Sequence, residues 1–210
     1  MKRKLMTTML LVIITAGLFA QSPDQPMVRF GLMGGLNIAT MVKTNDASFQ
    51  SDPLLGFNGG ALLQIPLGRI IAIQPEVLYS QKGYKSTGTY LGQDYDYLRH
   101  TDFVDVPLLL KLNATENFGF VIGPQFSFLT STRTVVKSGQ NAMEQTVDND
   151  NSDLRKNVLG GVIGFDITLE RHAFIYARYT LDLQIDNGNG SPSTPEYRNQ
   201  VFMVGIGLLF

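Results

Sequence analysis

The stretch Val28–Ile38, VRFGLMGGLNI, decides the fold. Val28, Phe30, Leu32, Leu36 and Ile38 fall on one side of a period-two pattern; Arg29, Gly31, Met33, Gly35 and Asn37 fall on the other. Alternate side chains of a strand point to opposite faces. This is therefore a strand with an apolar face and a face of small and polar residues.

Seven more segments read the same way. Leu55, Phe57, Ala61, Leu63 and Ile65 oppose Gly56, Asn58, Gly60 and Gln64. Ile71, Ile73, Val77 and Tyr79 oppose Gln74, Glu76 and Ser80, and Val104, Val106, Leu108 and Leu110 oppose Asp105 and Lys111. Phe118, Phe120, Ile122, Phe126 and Phe128 oppose Gly119, Gly123, Gln125 and Ser127. Leu159, Ile163, Phe165 and Ile167 oppose Gly160, Gly164 and Asp166. Ile175, Ala177, Tyr179, Leu181 and Leu183 oppose Arg178, Thr180 and Asp182. Phe202, Val204, Ile206, Leu208 and Phe210 oppose Met203, Gly205 and Gly207.

No charge stands on the apolar face of any segment, whereas the other face carries Arg29, Glu76, Asp105, Lys111, Asp166, Arg178 and Asp182. A soluble sandwich or lipocalin buries its apolar face and wets the other. A membrane barrel does the reverse. Alternation alone leaves both open, and three features choose the second. Glycines recur four apart on the polar face (31 and 35, 56 and 60, 119 and 123, 160 and 164), where they weaken a solvated strand but make room inside a narrow barrel. Connections alternate long and short, with polar stretches at Met41–Leu54, Lys82–Thr101, Thr130–Asn157 and Asp186–Arg198, and tight turns at Pro66–Arg69, Asn113–Asn117 and Glu170–His172. That alternation suits an even-stranded barrel with long outer loops and short periplasmic turns. Finally, the chain ends on a strand at Phe210, so Phe202 and Phe210 are expected to form a terminal insertion signal read by the barrel-assembly machinery of a Gram-negative envelope.

The start of the chain reads as an address. Lys2, Arg3 and Lys4 precede an apolar run, Leu5–Ala20, which gives way to Gln21, Ser22, Pro23 and Asp24. That order describes a secretory signal peptide over residues 1–20. Its apolar run is shorter than the about 20 residues of a helical span. A short periplasmic lead over 21–27 and a barrel over 28–210 follow, with both termini in the periplasm. Cleavage takes the formal charge from -1 to -4, which excludes a strongly basic nucleic-acid binder. The absence of Cys excludes a disulfide scaffold, a thiolate metal site, a Cys nucleophile and a lipoprotein anchor. Pro75, Pro107 and Pro124 lie inside the third, fourth and fifth segments, and each removes one ladder donor. They predict a seam of bulges or missing hydrogen bonds across neighbouring strands.

The segments QPEVLYSQKG (Gln74–Gly83), FVDVPLLLKLN (Phe103–Asn113), GPQFSFL (Gly123–Leu129) and ARYTLDL (Ala177–Leu183) resemble the Bacteroidetes outer-membrane β-barrel family called PorT-like, and FGLMGGLNIAT matches its opening strand. The resemblance covers nearly the whole mature chain and implies an eight-stranded outer-membrane barrel. The member that names the family serves a gliding-associated secretion system. The shared motifs are strand motifs rather than loop motifs, so that role is not carried over.

Candidate sites are few. The seven inward charges are expected to neutralise one another in a filled lumen, because eight strands leave just enough room for side chains. An ion or proton path is the sharper alternative. His100, with Asp96 and Asp102, and His172 in a tight turn are expected on opposite sides of the membrane, which denies them a shared catalytic site. Asp148–Asp153 starts like a calcium loop but lacks its sixth-position glycine and twelfth-position carboxylate; no metal or other cofactor is expected. Asp186–Gly190 is a turn by composition. Tyr84, Tyr90, Tyr95 and Tyr97 read as an interfacial belt or a contact surface. The expected function is structural or interactive, through four outer loops. The expected partners are outer-membrane lipid, the assembly machinery and an envelope protein. A narrow porin or transport accessory, a secretion-system component and an outer-membrane enzyme are the alternatives.

Overall fold

The computed structural model describes residues 27–43, 52–90, 93–138, 145–148, 155–169, 172–185 and 197–210. The expected signal peptide, most of the lead, the calcium-like stretch beyond Asp148 and the turn at 186–190 lie outside them. The strands are β1 (Arg29–Lys43), β2 (Leu54–Pro66), β3 (Ile71–Tyr90), β4 (Gln93–Asn113), β5 (Phe118–Ser138), β6 (Gln145–Asp148), β7 (Asn157–Thr168), β8 (Ala173–Asp182) and β9 (Tyr197–Leu209). All but β6 form one closed antiparallel barrel, in which β1 pairs with β2 on one side and with β9 on the other. The short β6 pairs only with the far end of β5.

The apolar faces point outward. Ile206 is 69% exposed and Leu55 67%, and Phe30, Phe57, Phe120, Phe126 and Phe202 are also exposed. An uncharged band this continuous is too large for a wetted monomer surface and fits hydrocarbon. Inside, Arg178, Lys82, Glu76, Asp105, Asp166 and Asp182 are almost completely buried. They share the lumen with an apolar cluster that includes Met33, Leu62, Leu78, Phe174, Tyr176 and Met203.

The inward glycines are cut to fit the large inward side chains. Gly35 and Gly205 face each other across β1 and β9. A Cβ on either would strike the Tyr176 hydroxyl. One on Gly207 would enter the Phe174 ring, one on Gly164 would come within 2.8 Å of Arg178 Cγ, and one on Gly119 within 2.9 Å of Lys111 Cε. Outward glycines differ: a Cβ at Gly161 meets nothing.

The proline seam is present, as interrupted pairing rather than bulges. Between β2 and β3 the ladder passes from Leu62↔Glu76 to Ile65↔Ile73, skipping Gln74 and Pro75. Between β3 and β4 it passes from Pro75↔Leu108 to Leu78↔Asp105, skipping Val106 and Pro107. Between β4 and β5 it passes from Pro107↔Gln125 to Leu110↔Ile122, skipping Gly123 and Pro124. Each proline is unpaired toward the preceding strand and paired toward the following one. One missing N–H per residue affects only one side. The single register shift among these ladders falls elsewhere, at Asp102/Phe103.

Two expectations need correction. The Lys82–Thr101 stretch is not a loop: β3 and β4 stay paired to Tyr90↔Gln93, and β5 continues alongside to Ser138. Arg29 has the inward register, but it lies exposed at the mouth on the short-turn side, because β1 begins there.

Candidate functional site

Two ion-pair clusters and one hydrogen-bond chain fill the lumen. Each position follows from strand parity. Arg178 on β8 donates through Nη1 to Glu76 on β3, and its Nη2 lies 3.5 Å from Asp166 on β7. Lys111 on β4 reaches the other Asp166 oxygen at 2.9 Å, and Gln74 donates to Glu76 at 2.8 Å. This set places two cations against two carboxylates, so it is formally neutral. Nearer the extended end, Lys82 lies 3.3 Å from Asp105 and 3.7 Å from Asp182, and its ammonium donates to Ser127 at 3.1 Å. It also sits 4.6 Å over the Phe103 ring.

The third element is uncharged. The Tyr176 hydroxyl donates to Asn58 at 2.6 Å, Asn58 donates to Asn37 at 2.6 Å, and Asn37 donates to Ser80 at 3.1 Å. Buried polar groups are costly unless paired, and fully connected networks rigidify the interior. These contacts cross the barrel interior from β8 to β2, β1 and β3.

Six of the seven charges singled out in the sequence therefore meet in the lumen, while Arg29 stands apart at the mouth. There it lines a cavity of about 580 Å³ with Arg69, Glu116 and Lys111. Lys82 was missed because the third segment was ended at Ser80. Carrying the parity of Glu76 and Ser80 one step further would have found it.

Outside the barrel wall the histidines are separated. His172 Nδ1 lies 2.9 Å from the Leu209 carbonyl at the short-turn end. His100 lies on β4 beyond the apolar band, directly opposite Arg133. Burial holds its imidazole below the ordinary range, Asp102 pulls it back up and Arg133 pushes it down. The Ser131 hydroxyl donates to Asp102 at 2.8 Å rather than to His100. Side chains at 87–97, including Asp96, Tyr90, Tyr95 and Tyr97, lie outside the described residues. Tyr84 turns inward and packs edge-on against Tyr197 at 5.7 Å. No group of metal-ligating side chains occurs among the described residues.

A closed antiparallel barrel with an apolar outer band has relatives. The model of the outer membrane protein beta-barrel domain matches residues 19–184. The chain belongs to that family. It is an outer-membrane β-barrel protein, and the match stops short of β9, the strand that closes its wall. The attachment invasion locus protein Ail of Yersinia pestis superposes with a TM-score of 0.50 at 12% identity, covering 87% of this chain and 98% of that one. Neisserial surface protein A superposes with a TM-score of 0.49 at 13% identity, covering 86% and 97%. At such identities the likeness concerns the fold. No curated protein matches the sequence.

Proposed function

We propose that this outer-membrane barrel is a non-conducting, non-enzymatic scaffold, and that it presents the protruding ends of β3, β4 and β5 to an envelope protein. One observation carries the reading: Arg178, Glu76, Lys82, Asp105 and Asp182 are buried and bonded to one another across the lumen. An ion would have to break those pairs to pass, and breaking a buried pair costs about 3–5 kcal/mol. The length of β3–β5 supports the second half. Those strands run 20 or 21 residues, whereas the other barrel strands run 10 to 15.

The same reading has residues 1–20 removed as a signal, 21–27 left as a periplasmic lead, and the final strand with Phe202 and Phe210 recognised during assembly. It places the chain with the PorT-like group on its strand motifs. Planar-bilayer recording of the refolded chain tests the sealed lumen, and the expected trace is flat. Discrete steps above membrane leak would replace this reading with a narrow pore. Crosslinking in the native envelope through residues 85 and 133, followed by co-purification, tests the platform. A secretion-system component on those crosslinks would assign the chain to that machinery; crosslinks to lipid alone would remove the partner.

A further inference from the structure

The two ends of the lumen are finished differently. At the extended end, Met41, Tyr84 and Tyr197 pack together beyond the Lys82 ion pairs. At the short-turn end lies the cavity of about 580 Å³, which reaches inward to Lys111. In an outer-membrane barrel that mouth faces the periplasm. The basic residues of the cavity belong to one section of the wall. Arg29 begins β1, Arg69 sits in the β2–β3 turn and Lys111 is on β4, so all three fall within four neighbouring strands. Register ties the polar lining to them. Gln64 pairs with Arg29 across β1 and β2, and Asn113 follows Lys111 on the same face of β4. Glu116, in the β4–β5 turn, is the one acid among the described lining residues.

The chemistry of these groups selects a ligand. Lys111 is buried, so an anion beside it is screened less than at the surface. Its bond to Asp166 uses one of the three donors of the ammonium. Guanidinium groups take a carboxylate or a phosphate as a fork. The side-chain amides of Gln64 and Asn113 each offer a donor and an acceptor, the complement of a peptide bond. Glu116 accepts from an amide N–H but repels a phosphate dianion. The cavity volume falls within the about 300–1,000 Å³ of small-ligand sites.

We infer that this mouth binds a short acidic peptide from the periplasm, with its carboxylates on Arg69, Arg29 and Lys111 and its backbone on Gln64 and Asn113. The site lies at the opposite end of the barrel from the β3–β5 platform and does not depend on it.

NMR titration of the refolded full chain in detergent micelles tests this. The probes are N-acetyl-diglutamate, its neutral counterpart N-acetyl-diglutamine amide, and inorganic phosphate. Diglutamate should shift the backbone amides of Gln64, Arg69, Asn113 and Glu116 saturably and bind more tightly than phosphate, while the neutral peptide should leave them in place. Arg69→Gln should weaken diglutamate binding roughly tenfold or more, the cost of one hydrogen bond between charged groups. Arg69 stands on an exposed turn, so its loss spares the packed wall. Arg155→Gln removes the same charge at the extended end, where Arg155 bonds the Ile185 carbonyl, and should leave the affinity unchanged. Equal binding of the two peptides, or an unchanged affinity in Arg69→Gln, would overturn the inference. Phosphate binding as tightly as diglutamate would overturn it too, and would assign the cavity to phosphate instead.

Discussion

The two halves of the barrel wall are built differently. From β5 through β7, β8, β9 and β1 to β2 the ladders run without interruption. From β2 through β3 and β4 to β5, every ladder skips two successive pairs beside a proline. The gapped strands β3, β4 and β5 are also the long ones that protrude. A closed wall in lipid must satisfy its backbone groups internally, so the weaker half needs support from elsewhere. The lumen supplies it. Tyr176 on β8 bonds Asn58 on β2, Arg178 on β8 bonds Glu76 on β3, and Asp182 on β8 pairs with Lys82 on β3. The continuous half thus clasps the gapped half from inside.

Removing the clasp should have the largest effect. Arg178→Met leaves Glu76 with only Gln74 beside it, and should cost about 3–5 kcal/mol, because the loss of one partner strands a buried charge. Adding Glu76→Gln to that variant should recover at least half of the loss, since the stranded charge is gone. Urea midpoints of refolded protein in lipid vesicles measure both. An unchanged midpoint for the single variant would show that the halves do not depend on this pair.

The seam itself should respond more weakly. Pro107→Val restores one N–H in the β3–β4 gap and should add about 1 kcal/mol, the usual net value of a hydrogen bond. Amide exchange at Val77 and Val106 should slow with it. A loss of stability with faster exchange would show instead that the wall needs the gap in order to curve.

The halves also differ in how plainly the sequence announced them. All eight barrel strands were legible, because hydrocarbon on one side and packed side chains on the other enforce a period of two. The seam was legible because proline lacks a donor wherever it stands. The protrusions were not. Past Tyr79 and Val104 both faces of the sheet leave the membrane, so nothing requires one of them to be apolar, and Tyr84–Tyr90 read as a loop. Lys82 was lost with that boundary. The lumen was legible in kind from Glu76, Asp105, Lys111, Asp166, Arg178 and Asp182. Its pairing was not, because Glu76 and Arg178 meet across the barrel from strands 102 positions apart. Its apolar share, Leu78, Phe174 and Tyr176, could be found only by asking what the inward glycines were making room for.

The smallest effect tests how closely the protruding sheet is packed. His100 stands on β4 beyond the band, and burial lowers its imidazole from the ordinary 6.5 while Asp102 opposes the shift. Between the lowered value and 6.5 the unfolded chain binds more protons than the folded one, so stability rises with pH through that window. The unmodified chain should therefore lose slightly more stability than His100→Gln when the pH falls from 7.5 to 5.5, and the two should run parallel above pH 7.5. The difference will be modest, since the imidazole keeps some contact with water. Urea midpoints at the two pH values suffice. Curves that stay parallel down to pH 5.5 would mean that water reaches the ring freely, and that the sheet beyond the membrane is looser than the barrel from which it rises.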